Sequence, residues 1–135
     1  MNQKPFLEVV KNICANDPRY DIEAYFFVRD ALDFTTQTLD RSKTDEKNRH
    51  VSGRELLEGI RKYTLKEFGP MSLTVLGSWG IKGTEDFGEI VFNLVNSGKL
   101  GCTEDDKIED FANGYDFNIA FAKPFEPKNT ASTAE

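Results

Sequence analysis

Eight carboxylates gather in the C-terminal half of the chain. Glu85, Asp86 and Glu89 lie within TEDFGE, and Glu104, Asp105, Asp106, Glu109 and Asp110 within EDDKIED. Such density can hold a divalent cation, but a calcium loop needs DxDxDG spacing closed by a bidentate Glu, and neither run has it. An acidic, solvated surface is the expectation instead. Arg54, Arg61, Lys62 and Lys66 form the opposite feature, a face suited to an anion. They are interleaved with Glu55, Glu58 and Glu67, so a mixed-sign solvated helix face is the plainer reading. His50 is the single histidine, and no orienting acid and nucleophile stand at spacings that would make it a catalytic base. Cys14 and Cys102 lack the CxxC spacing of a metal site and predict two reduced thiols packed as small hydrophobes. The chain contains no Gly-rich phosphate loop, GxSxG or HExxH. No catalytic, cofactor or metal site is expected.

Charge is unevenly distributed. Residues 1–70 carry 12 Lys+Arg against 12 Asp+Glu, whereas residues 71–135 carry 5 against 11, so the whole net charge of −6 falls in the second part. Within residues 41–66, eight bases face four acids. An anionic partner would be steered there and repelled from the C-terminal half. The opening segment MNQKPFLEVVKNIC has no long apolar run or small-residue cleavage site, which predicts no signal peptide, and no segment reaches the 18 apolar residues of a membrane span. A cytoplasmic protein without membrane attachment is expected.

The elements that must position these groups follow from apolar spacing. Phe6, Val9, Val10, Ile13 and Cys14 recur on one helical face, opened near Pro5 and stopped by NDP at 16–18. Asp21 caps a second helix, with Tyr20 and Tyr25 at hydrophobic-staple spacing. Apolar residues at Tyr25, Phe26, Phe27 and Val28 lie on more than one face of it, which predicts a central position. DRSKTDEKNRH, 40–50, reads as a polar loop. Ser52 and Glu55 form a capping box for a helix running to Phe68, with Glu58 and Lys62 as a favourable i, i+4 pair. Gly69-Pro70 breaks it. A short helix carrying Met71, Val75 and Trp79 ends at Gly80. Trp79, Phe68 and Met71 at such spacing read as core more readily than as an aromatic pocket.

Thr84 is expected to cap the next helix, which buries Phe87, Ile90, Val91, Leu94 and Val95 and ends at Gly98 in the left-handed position. Beyond it, Tyr115, Phe117, Ile119 and Phe121 alternate like a half-buried strand, and Asn113-Gly114 suits a type I′ hairpin. Residues 103–112 are open between strand, loop and short helix. The expectation is an α+β, mainly helical domain over 1–121, with about five helices and a C-terminal β-hairpin. It comprises a helical part over 4–38, the loop 40–50 and a winged-helix-like part over 51–121, followed by a mobile tail over 122–135.

FVRDALDFT (27–35), HVSGRELLEGIRKYTLKEFGPM (50–71), WGIKGTEDFGEIVFNLV (79–95) and EDFANGYDF (109–117) together resemble an uncharacterised conserved bacterial family associated with Verrucomicrobia and Planctomycetes. The resemblance covers most of residues 20–121 and implies a compact module with no assigned activity.

The helix 84–97 would be the DNA-reading helix of a winged helix, yet it offers Glu85, Asp86 and Glu89 where phosphates would approach. DNA binding draws its affinity from Lys and Arg, so nucleic acid is disfavoured at this helix. The leading expectation is a non-catalytic protein–protein interaction or regulatory module. It would meet an unidentified protein partner or a second copy of itself through Glu85, Asp86, Glu89, Glu104, Asp105, Asp106, Glu109 and Asp110. The alternative is a nucleic-acid- or ribosome-associated winged-helix protein binding through the basic segment 41–66, where Arg54, Arg61, Lys62 and Lys66 lie.

Overall fold

Asp21 turns the chain into its central helix. Its carboxylate accepts from the Glu23 N–H at 2.8 Å, satisfying one of the donors a helix N-terminus leaves open. The computed structural model describes residues 5–39, 51–98 and 108–126, and within them five α-helices. These are α1 (Phe6–Asn16), α2 (Ile22–Thr38), α3 (Gly53–Phe68), α4 (Ser72–Ser78) and α5 (Thr84–Asn96). Ala24, Tyr25, Phe27, Val28, Ala31 and Thr35 of α2 are buried, and α1, α3 and α5 all pack on this helix. That is the central position its many-sided apolarity predicts.

The α2–α3 pair is antiparallel. Phe27 meets Phe68, Phe34 meets Tyr63 and Thr35 meets Gly59, so numbers fall along one helix as they rise along the other. Gly59 allows the close approach, because a Cβ there would overlap the Thr35 hydroxyl and stand 2.7 Å from the Thr35 Cβ. The capping box is formed in full: Ser52 Oγ accepts from the Glu55 N–H at 3.1 Å, and Glu55 Oε1 accepts from the Ser52 N–H at 3.0 Å. Glu58, however, pairs with Arg61 at i+3 instead of Lys62 at i+4.

A single 3-10 turn, Gly69–Met71, carries Pro70 into α4. Gly80 then turns left-handed at φ +89°, where a side chain would strike the Arg19 carbonyl. The Asp21 N–H donates to the Trp79 carbonyl at 3.1 Å, tying the end of α4 to the start of α2. Gly98 closes α5 at φ +85°.

Beyond α5 the expected architecture fails. Among the described residues there is no strand, so neither the β-hairpin nor the winged-helix-like arrangement exists, and the domain is helical instead of α+β. Residues Ile108–Phe111 form a 3-10 turn, Asn118–Ala122 a π-helical turn and Lys123–Phe125 a further 3-10 turn. The hairpin fails at its corner. A type I′ turn needs positive φ at both central residues, but only Asn113, at +55°, has it. A cap then wins over the ladder: Asp116 Oδ1 accepts from the N–H groups of Asn118 (2.8 Å) and Ile119 (3.2 Å) and starts a helical turn. Phe117 and Phe121, four apart, share its inner side with ring centroids 5.1 Å apart, while Ile119 points outward and is exposed. Phe117 and Phe121, four apart, fit a helical turn as well as the alternation, whereas Ile119 fits the alternation alone, which is why the pattern misleads.

Thr84 likewise has a different role from the one expected. Gly83 is the N-cap of α5 and offers no side chain. The buried Thr84 hydroxyl donates to the Phe111 carbonyl at 2.6 Å and accepts from the Gly114 N–H at 3.0 Å, stapling the C-terminal turns to the helix. Phe111 fits a slot floored by two glycines: a Cβ on Gly53 of α3 would stand 3.1 Å from its ring, and one on Gly88 of α5 would stand 2.8 Å from its Cβ. Tyr115 donates to the Leu57 carbonyl at 2.9 Å. The core accordingly joins Val10, the inner face of α2, Leu56, Ile60, Leu76, Phe87, Leu94, Phe111 and Phe121 in one cluster. The expected polar loop 40–50 lies outside the described residues, as does the tail beyond Glu126.

Candidate functional site

The three carboxylates of α5 are engaged within the chain. Asp86 accepts from the Tyr20 hydroxyl at 2.5 Å and from the Lys82 N–H at 2.8 Å. Glu89 accepts from Arg19 at 3.2 Å, and Glu85 lies 3.5 Å from the Asn113 N–H. Arg19 also forms a two-pronged pair with Asp17, Nε to Oδ1 at 2.8 Å and Nη2 to Oδ2 at 2.7 Å. The side chain of Asn93 completes the set, donating to Asp17 at 3.1 Å and to the buried Tyr25 oxygen at 3.0 Å. The α1–α2 turn is thereby latched to α5 across some seventy residues of sequence.

Hydrogen bonds from Arg19 hold the Asp17 carboxyl well below the usual carboxylate range, against a smaller opposing effect of burial. Burial pushes the Tyr20 phenol up, and its bond to Asp86 adds to this, so it remains a donor at neutral pH. Burial likewise raises Tyr25 and Tyr115. Cys14 is half-buried, its thiol faces the Tyr20 carbonyl at 3.7 Å, and burial with Asp21 and Asp17 pushes it up. A raised thiol is a poor nucleophile. Together these groups latch the α1–α2 turn to α5.

The predicted basic face is divided. Arg61 pairs with Glu58, whose carboxyl that hydrogen bond holds below its ordinary value. Lys66 lies 3.6 Å from Glu67 and 5.8 and 5.9 Å from the ring centroids of Phe34 and Tyr63. Arg54 and Lys62 are exposed. Of the acidic run, Glu109 is exposed and Asp110 half-buried, while Glu104, Asp105 and Asp106 lie outside the described residues, as do His50 and Cys102. Trp79 and Phe68 pack with Phe27, at 5.3 and 5.4 Å between centroids, as part of the core edge. Met71 is exposed instead of joining them.

Two further surface features stand out among the described residues. A cleft of about 370 Å³ opens at the N-terminus of α5, lined by Lys82, Gly83, Thr84, Glu85, Asn113, Tyr115, Asp116 and Phe117. Met71, Ile119 and Phe125 expose 54%, 62% and 43% of their surfaces; Gly69–Met71 lies beside Asn118–Ala122, which runs directly on into Lys123–Phe125. Among the described residues no three His, Cys, Asp or Glu converge to hold a metal ion, and no helix is long and apolar enough to cross a membrane.

Sequence reasoning missed Asp17, Arg19 and Asn93 altogether. They lie in a loop and mid-helix, where no local spacing signals a contact so distant in sequence. It also placed Ile119 on a buried strand face. The cap Asp116, three residues before Ile119, was the available signal for a helical turn. Compared with known protein families, curated proteins and solved structures, the chain matches none.

Proposed function

We propose that the chain is a small cytoplasmic protein–protein interaction or regulatory module. The observation that carries this reading is the exposure of Met71, Ile119 and Phe125 on neighbouring turns. A single exposed apolar side chain is ordinary on a protein surface, and three large ones on neighbouring turns support contact with another protein. The acidic surface expected from sequence supports the reading less, because Asp86 and Glu89 bond to Tyr20 and Arg19. Nucleic acid is the weaker reading, because among the described residues Arg61 and Lys66 have carboxylates beside them, which leaves Arg54 and Lys62 of the expected basic face. A cytoplasmic setting goes with a free thiol at Cys14. The resemblance to a bacterial family of no assigned activity adds no chemistry to this proposal.

The test compares proteins captured from the native cell by the tagged chain and by an Ile119→Asp, Phe125→Ser variant of unchanged thermal midpoint. The reading requires partners that the variant loses. Identical captures from both would overturn it.

A further inference from the structure

Helix α1 is attached to the rest of the fold differently from the other helices. Only Val9 and Val10 of its eleven residues are buried, against six residues each in α2, α3 and α5, and its close packing is with α2. The short α4 also buries only two, but it packs on both α3 and the Asn118–Ala122 turn. Phe6 stands edge-on to Phe26 with 5.0 Å between centroids, and the Arg29 guanidinium lies over the two rings at 4.6 and 5.1 Å. At the other end the Cys14 thiol lies 3.7 Å from the Tyr20 carbonyl, so α1 runs antiparallel along residues 20–29. Among the described residues this weak thiol contact is the one hydrogen bond from α1 to another element, and α1 has no ion pair to one. The attachment changes at Asp17. Asp17 bonds to Asn93, Arg19 to Glu89, Tyr20 to Asp86, and the Asp21 N–H to the Trp79 carbonyl, which fixes residues 17–21 to α5 and to the end of α4.

We propose that α1 is a lid, which leaves α2 as one unit from a hinge between Asn16 and Asp17 while α2 to α5 stay folded. Burial that is small and confined to one neighbour, without polar reinforcement, is what lets a segment open on its own. Opening at this hinge breaks none of the bonds by which residues 17–21 hold α4 and α5. It uncovers the side of α2 around Phe26, which Phe6 half-covers when the lid is closed. The lid is independent of the protein-binding reading, whose residues lie on other turns.

Native-state amide exchange of the full chain tests this. The amides of Val10 to Asn16 should share one degree of protection, at least about tenfold below that of the slowest amides of α2 and α3. Sub-denaturing urea should speed α1 exchange only weakly, because lifting the lid exposes little surface, and should speed the slowest amides steeply. Ile60→Val removes a methyl from a fully buried site on α3, with which α1 is not closely packed. It should speed the slowest amides about three- to tenfold and leave α1 unchanged, because the lid opens without passing through the unfolded chain. Val10→Ala weakens the closed state itself and should speed α1 about tenfold or more. Protection in α1 equal to that of α3, the same urea dependence in both, or protection that climbs residue by residue from Val10 to Asn16 would each overturn the proposal. So would α1 amides that speed up in Ile60→Val or stay unchanged in Val10→Ala.

Discussion

Replacing Thr84 by valine isolates the bond that holds the C-terminal turns in place. The side chain is 1% exposed, and valine keeps its shape and branching, so the substitution opens no cavity and changes helix propensity little. What is lost is polar. The hydroxyl donates to the Phe111 carbonyl at 2.6 Å and accepts from the Gly114 N–H at 3.0 Å. Each such bond contributes about 1 kcal/mol net, and stranding a buried carbonyl costs about 1–3 kcal/mol more. Gly114 is half-buried and regains water in part, and the added methyl returns some apolar burial. A loss of about 2–3 kcal/mol remains.

The control is Thr64→Val. Thr64 is equally buried, but its hydroxyl donates only to Ile60 of its own helix, so that loss should stay below about 1 kcal/mol. Urea unfolding followed by Trp79 fluorescence reads both, and amide exchange over 108–126 should speed up in Thr84→Val alone. Equal costs for the two variants would refute the argument, because the tertiary staple would then be no stronger than a bond within one helix turn.

Two glycines should respond oppositely to alanine. Gly59→Ala sets a methyl against Thr35 across the α2–α3 crossing and should destabilise by about 1–3 kcal/mol despite better helix propensity. Gly77→Ala in α4 meets open space and should stabilise by about 0.5–1 kcal/mol, with thermal midpoints as the measure. Asp17 has its folded pKa depressed, so its contribution is fully present above the unfolded carboxyl pKa near 4 and fades as pH falls towards the folded value. Asp17→Asn should therefore cost more at pH 7 than at pH 3, and equal urea midpoint shifts at the two would contradict the pairing with Arg19.

The parts of the fold that were legible share one property: their cause lies within five residues of their effect. Asp21 caps at N2, Ser52 and Glu55 close a box of four residues, and Gly98 ends α5 with its own φ. The parts that were not legible depend on contacts distant in sequence. Thr84 has the composition of a cap, but Phe111 and Gly114 take its hydroxyl from 27 and 30 residues away. From 113 to 121 the local signals conflict. Asn113-Gly114 favours a hairpin and Asp116 a helical start, and burial of Phe117 and Phe121 on one side decides for the latter. Nothing local announces that Arg19, in a loop after α1, reaches Glu89.

The same distinction changes what the charge of the C-terminal half means. Summed along the sequence, Glu85, Asp86 and Glu89 make α5 repellent to phosphate and available to a basic partner. In the folded chain Asp86 holds Tyr20, Glu89 holds Arg19 and Glu85 approaches the Asn113 N–H, so their first role is to bind the molecule to itself. A carboxylate accepting hydrogen bonds from a fixed donor offers less to a partner, which must either share it or displace that donor. Displacement here would release the α1–α2 turn from α5. No such cost attaches to Met71, Ile119 and Phe125, whose exposed surfaces are held out by the turns beneath them. A partner gains most where the chain has left apolar surface in water.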